Sequence, residues 1–115
     1  EFFRAQAEKE TLKILNKKNC VISLGGGAFA NKKIRENILK NSISIWLDID
    51  LKIINKRVKW SKKRPLLEKR NVQKKIEKLY FERADIYQLA NYKITCDKHE
   101  KNQIVEKIID IYAKY

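Results

Sequence analysis

Ser23-Leu24-Gly25-Gly26-Gly27-Ala28-Phe29 holds all three glycines of the chain, directly after the apolar run Cys20-Val21-Ile22-Ser23-Leu24. Glycine loses more conformational freedom on folding than any other residue, so strand or helix stability does not account for three in a row. The backbone here must bend sharply or admit a close neighbour. A plain strand-to-helix turn and a ligand site fit these glycines equally well, and the remaining sequence has to separate them.

Periodicity on either side of the glycines sets the fold class. Phe3 to Lys18 reads as a helix with Phe3, Ala7, Leu12, Ile14 and Leu15 on a wide apolar face, stopped by Asn19. Cys20 to Leu24 has the continuous apolar, β-branched character of a strand buried on both faces of a parallel sheet. Asn31 suits the cap of a second helix, Lys32 to Lys40, with Ile34 and Ile38 one turn apart. Ile43 to Leu47 is a second strand. Asp50 then caps helical periodicity through Leu51, Ile54 and Val58.

The segment 61–70 contains the only proline and five cations in ten residues, which predicts a mobile basic loop. Asn71 suits the cap of a long helix, Val72 to Ala90, striped by Val72, Ile76, Leu79, Tyr80, Tyr87 and Ala90. Tyr92 to Cys96 is a third strand. Ile104, Val105, Ile108, Ile109 and Tyr112 make the inner face of a closing helix. Strands alternating with helices at this spacing predict an α/β domain with a parallel sheet, whose ligand sits at the carboxyl edges of the strands.

The 115 residues fit one small domain. No apolar run approaches the roughly 20 residues of a membrane span, and residues 1–4 do not have the pattern of a signal peptide, so a cytoplasmic location is expected. Cys20 and Cys96 lie in apolar runs without metal-ligand spacing and are expected to be free, buried thiols; the one histidine, His99, is expected at the surface. Twenty-seven Lys and Arg against fourteen Asp and Glu give a net charge of +13. That balance attracts anions, nucleic acid and small phosphorylated or carboxylated metabolites alike.

Arg83 narrows the choice. It falls on the inward stripe of its helix, where a guanidinium must be paired or face a polar site. Glu82 and Asp85 are not at the i,i+3 or i,i+4 spacing that joins helical side chains, although Glu77 or Asp97 could reach it through tertiary contact. A ligand carboxylate or phosphate, bound through two parallel hydrogen bonds, is the favoured partner. Arg4, beside Phe2-Phe3 at a helix start, is a second cation of this kind, with Glu8 as its local alternative. Arg64, set by Pro65 in the basic loop, is a third.

In this order the motifs resemble those of shikimate kinase: Phe3-Arg4, Val21-Ile22-Ser23-Leu24-Gly25-Gly26-Gly27-Ala28, Ile45-Trp46-Leu47-Asp48, Arg64-Pro65-Leu66-Leu67, and Leu79-Tyr80-Phe81-Glu82-Arg83 with Tyr87 and Ala90 beyond. The resemblance runs through the whole chain. It implies a P-loop, nucleoside-monophosphate-kinase-like α/β fold and transfer of the ATP γ-phosphoryl group to the 3-hydroxyl of shikimate with Mg²⁺, in aromatic amino-acid biosynthesis. By resemblance, Arg4 and Arg83 grip the shikimate carboxylate and the Gly26 and Gly27 backbone contacts its ring hydroxyls. Arg64 is the lid arginine, meeting the phosphates and acting in catalysis, and Arg57 lies on the adenine side. Such roles suit phosphoryl transfer, which needs positioning and neutralisation of spread negative charge. The implied partners are shikimate and ATP, with no nucleic acid and no membrane, in a monomer.

The departures define the expectation further. No G-x-x-x-x-G-K-[ST] occurs in these residues, so the phosphate cradle, its lysine and the Mg²⁺-binding hydroxyl are not among them, and no residue here is assigned to metal. The chain therefore reads as a single partial domain over 1–115, with a lid loop at about 61–71, corresponding to the C-terminal portion of the enzyme without its first βαβ unit and inactive by itself. Ala7 stands where the family usually has a glutamate orienting the first arginine, Asp85 where a proline commonly follows the second, and Glu100 where a basic or polar side chain is usual near the nucleotide. Two other functions remain: a P-loop kinase of another carboxylated metabolite, and a basic nucleic-acid-binding module. The second requires aromatics interleaved with cations on an exposed face, whereas Phe29, Trp46 and Tyr80 fall on or near apolar runs.

Overall fold

The computed structural model describes residues 2–25, 27–59 and 66–115, with the side chains of 2–4, 57–59 and 66–69 outside that description. Two compact units divide the chain, Glu1–Ser44 and Ile45–Tyr115.

In the first unit, α1 (Phe2–Ile14) and α2 (Lys32–Asn41) are joined through one asparagine. Asn31 caps α2 as expected: its side-chain oxygen accepts from the Ile34 N–H at 3.1 Å, satisfying a donor that the first helical turn leaves open. Its Nδ2 donates to Glu8 Oε2 of α1 at 2.7 Å, and Lys33 lies 3.7 Å from the other Glu8 oxygen. Arg35 donates to the carbonyls of Phe29 and Ala30, each at 3.2 Å, holding the turn ahead of the helix. Leu15, Phe29, Ile34 and Ile38 are the buried apolar side chains among the described residues of this unit.

Here several expectations change. α1 ends at Ile14 rather than Lys18, its last turn tightening through Asn16 N–H to Lys13 O at 3.2 Å and Lys17 N–H to Ile14 O at 3.0 Å. Asn19, at φ 56°, takes the left-handed conformation that asparagine tolerates. The covered stripe of α1 is Glu8, Thr11, Leu12 and Leu15, while Ala7 and Ile14 point outward. Residues 20–24 do not form a strand. They have no regular secondary structure and no ladder partner among the described residues, and Val21 is 95% exposed. A strand of a parallel sheet is stable only when neighbours take its donors and acceptors, so an apolar run was insufficient. Cys20 is accordingly an exposed free thiol.

In the second unit, β1 (Ile45–Asp48) and β2 (Tyr92–Thr95) pair in parallel, with Ile45 opposite Tyr92 and Asp48 opposite Thr95. A parallel pair needs a long crossover, supplied here by α3 (Leu51–Lys59) and α4 (Leu66–Tyr87). Asp50 caps α3, its Oδ1 accepting from Lys52 N–H at 2.8 Å. α3 and α4 meet where Gln73 Nε2 donates to Asn55 O at 3.4 Å and Asn55 Nδ2 to Glu77 Oε1 at 3.3 Å. After β2 a 3-10 turn, Cys96–Lys98, leads to α5 (Lys101–Tyr112). Glu100 opens α5, its N–H donating to Gln103 Oε1 at 2.8 Å, which gives this acid a capping role.

α4 begins at Leu66, so Asn71 lies inside the helix instead of capping it, and the expected loop is helical from residue 66 onward. Leucine, glutamate, lysine and arginine after Pro65 are good helix formers, and proline is well tolerated before a helix. Residues 60–65 of the expected loop, including Arg64, lie outside the described residues. On α5 the covered face is Ile104, Ile108 and Ile111, whereas Val105, Ile109 and Tyr112 are exposed. Cys96 and His99 are both half-buried. Among the described residues no helix is long and apolar enough to cross a membrane.

Two measurements on this chain check these features. Amide hydrogen exchange is expected to be fast at Val21 to Leu24 and slow at Ile94, the buried residue of β2; strong protection at 21–24 would restore the third strand. Asn31→Ala should lower unfolding stability by about 1–2 kcal/mol in urea titration, the usual effect of losing an N-cap.

Candidate functional site

Strand alternation places Trp46 and Asp48 on one face of β1, and α4 is fastened to both. Tyr80 Oη donates to Asp48 Oδ1 at 3.1 Å. Tyr87 meets Trp46 edge-on, with ring centroids 5.8 Å apart and planes at 60°. Lys93, the register partner of Trp46 on β2, brings its Nζ within 3.4 Å of Asp48 Oδ2 and 4.9 Å of the Trp46 ring centre. The Asp48 side chain is only 13% exposed. A carboxylate with so little water needs partners for its oxygens, and here each oxygen has one.

This cluster lies at the carboxyl end of β1. Burial, and then the hydrogen bond to Asp48, push the Tyr80 hydroxyl above its ordinary pKa, with the charges of Asp48, Asp50 and Asp97 adding to the effect. Tyr80 is thus a protonated donor at neutral pH. Burial also raises the Cys96 thiol, followed by the charges of Asp48 and Asp97. That thiol lies 3.5 Å from Ile94 O and has the character of an inert, protonated cysteine.

Arg83 stands on the same stripe of α4, three residues after Tyr80 and four before Tyr87, and is half-buried. Three of its four candidate acidic partners have other partners. Glu77 takes Asn55, Glu82 lies 4.0 Å from Lys78, and Asp85 accepts from Gln88 at 3.3 Å. None of these, nor Asp97, pairs with Arg83 among the described residues. A half-buried guanidinium without an anion is poised to take one from a ligand.

The other sequence-selected residues divide between the two units. Arg4 lies in the first turn of α1 and Gly27 in the turn leading to α2. That turn is closed by Ala28 N–H to Gly25 O at 3.1 Å. No described glycine has a positive φ, and a Cβ at Gly25 would meet nothing within 4 Å. Neither backbone conformation nor packing therefore demands glycine at 25, and the space beside it is open. Arg57 lies on α3, with its side chain outside the described residues, as are Gly26 and Arg64 altogether. Arg70, Asn71, Gln73, Lys74 and Glu77 line an open cleft of about 490 Å³ on the amino-terminal half of α4. Among the described residues no group of three or more His, Cys, Asp or Glu side chains can hold a metal ion.

Asp48 and Tyr80 stand within the sequence motifs with no role of their own expected, and nothing in the sequence singles out Lys93. The available signal was an acid closing a predicted strand, together with a tyrosine one helical turn before the inward arginine.

The family model described as Shikimate kinase matches residues 1–113. A shikimate kinase of Bartonella quintana (strain Toulouse) is 39% identical over 113 residues, covering 98% of this chain and 54% of the relative. One from Sulfurihydrogenibium sp. (strain YO3AOP1) is 39% identical over 108 residues, covering 94% of this chain and 64% of the relative. The chain thus spans about half the length of the first of these relatives. The crystal structure of shikimate kinase from Bacteroides thetaiotaomicron superposes with a TM-score of 0.74 at 23% identity, covering 95% of this chain and 65% of that one. That likeness establishes the fold: an α/β arrangement with a parallel sheet and flanking helices. With the family match extending over nearly every residue, the chain belongs to the shikimate kinase family.

Proposed function

We propose that this chain forms the acceptor-substrate and lid portion of an enzyme that transfers the γ-phosphoryl group of ATP to the 3-hydroxyl of shikimate. The observation that carries this reading is Arg83, half-buried on α4 and paired with no acid among the described residues. A planar carboxylate is the group its forked donors fit best. Arg83 and Arg4 together hold the shikimate carboxylate, and the Gly26 and Gly27 backbone approaches the ring hydroxyls. The open space beside Gly25 agrees with close approach of a ligand to this turn.

Arg64 neutralises charge on the transferring phosphoryl group, and Arg57 flanks the adenine. Phosphoryl transfer is governed by positioning and charge neutralisation, so arginines delivered to the phosphates contribute a large part of the rate. The 115 residues contain no G-x-x-x-x-G-K-[ST], and the described ones contain no metal-ligating cluster. Mg²⁺ and the phosphate cradle are therefore not assigned to any residue of this chain. The same reading takes residues 1–115 as part of one domain of a monomeric cytoplasmic enzyme, with the 115 residues not catalytic by themselves.

In the protein at its natural length, Arg83→Ala should raise the KM for shikimate by about 10- to 100-fold, the effect of losing hydrogen bonds to a charged group. Arg64→Ala should lower kcat by roughly 10³-fold. Steady-state kinetics with a coupled ATP-consumption assay measures both. Shikimate affinity that is insensitive to salt separates this function from nucleic-acid binding, whose affinity falls steeply with salt. Turnover with another hydroxy acid but not with shikimate would transfer the assignment to a different metabolite kinase.

A further inference from the structure

A hydrogen bond from Tyr80 and a ring contact of Tyr87 join α4 to β1, and Arg83 lies between them on the same stripe. Tyr80 Oη is bonded to Asp48 Oδ1 at 3.1 Å, and the Tyr87 ring rests edge-on against Trp46 with centroids 5.8 Å apart. A helix held at one point can roll about its axis; held at two points of one stripe, it cannot. The aromatic contact is apolar and tolerates sliding, whereas the hydrogen bond has a directional optimum. Lys93 stiffens that bond from the other side, its Nζ 3.4 Å from Asp48 Oδ2, so the carboxylate has one preferred orientation. A roll of about 10° carries a group roughly 7 Å from the helix axis through about 1 Å, and displacements of that size matter for a bidentate arginine.

We propose that Asp48 and Tyr80 are positioning residues, whose hydrogen bond sets the roll of α4 and thereby aims the Arg83 guanidinium at the substrate carboxylate. This rests on the reading of Arg83 as the carboxylate-binding arginine. Neither Asp48 nor Tyr80 touches the substrate. Their effect passes through Arg83 and is confined to acceptor binding, leaving ATP affinity and the chemical step untouched.

The test uses the protein at its natural length, with KM and kcat measured separately for shikimate and ATP. Tyr80→Phe removes one oxygen and should raise the shikimate KM about fivefold, a loss on the order of one misaligned hydrogen bond of Arg83, with kcat and the ATP KM within twofold of wild type. Asp48→Ala should behave alike. Asp48→Asn, which keeps the acceptor oxygen, should recover most of the affinity lost in Asp48→Ala. In an Arg83→Lys background, Tyr80→Phe should add nothing, because a flexible ammonium does not depend on the alignment of a planar fork. Equal losses in both backgrounds would overturn the proposal, as would a fall in kcat at constant KM or no effect of Tyr80→Phe where Arg83→Lys weakens shikimate binding. If Arg83→Lys itself leaves the shikimate KM unchanged, the reading of Arg83 fails first and the positioning role with it. Should Tyr80→Phe lower the Tm by more than about 8 °C, beyond the shift expected for a single lost hydrogen bond, the contrast between Asp48→Ala and Asp48→Asn decides in its place.

Discussion

The second unit depends on one carboxylate. Asp48 ends β1 and binds Tyr80 of α4 through one oxygen and Lys93 of β2 through the other, so three elements share a single, largely buried charge. Such a charge is costly to desolvate, and that cost makes its partners obligatory. In the parallel register Trp46 lies opposite Lys93, whose ammonium reaches both the indole face and Asp48. Burial first, and then the hydrogen bond to Asp48, raises the pKa of the Tyr80 hydroxyl and keeps it a donor.

The first unit uses a neutral counterpart. Asn31 satisfies the open start of α2 with its oxygen and reaches α1 with its nitrogen, and Glu8 gives its other oxygen to Lys33. Both units thus depend on a side chain with two hydrogen-bonding ends linking an element boundary to a neighbouring element. Sequence inspection finds the first half of such a link, the cap, because a cap is local. The second half is tertiary.

The excess of cations is spread over exposed helical faces, with a few members placed otherwise. Most lysines of α1, α2 and α4 are exposed, and the pairs they form, such as Lys13 with Glu10 at 3.9 Å and Lys78 with Glu82 at 4.0 Å, are exposed contacts that contribute little to stability. Arg83 differs in being half-buried and lacking an acid among the described residues. Arg35 is half-buried too, yet it spends its donors on the carbonyls of Phe29 and Ala30 and serves the fold. Partner chemistry therefore separates a structural arginine from one available to a ligand, and burial alone does not.

What could be read from residue order was whatever depends on near neighbours. The helices around Ile34, Ile54 and Tyr80, the caps Asn31 and Asp50, the strands at Trp46 and Ile94 and the inward position of Arg83 all follow from spacings within a turn or two of chain. Misreadings came where a distant partner decides. The apolar run 20–24 looked like a strand, but extended chain becomes strand only when a neighbour takes its hydrogen bonds; Leu66 to Arg70 looked like loop, but joins a helix because its residues favour one once the proline is passed. Sequence by itself determined the alternation of helix with parallel strand and the inward position of Arg83, through local periodicity and residue chemistry. Only the tertiary structure decided that Asp48 and Tyr80 meet across 32 residues, because that contact depends on where β1 and α4 pack rather than on anything either segment carries alone.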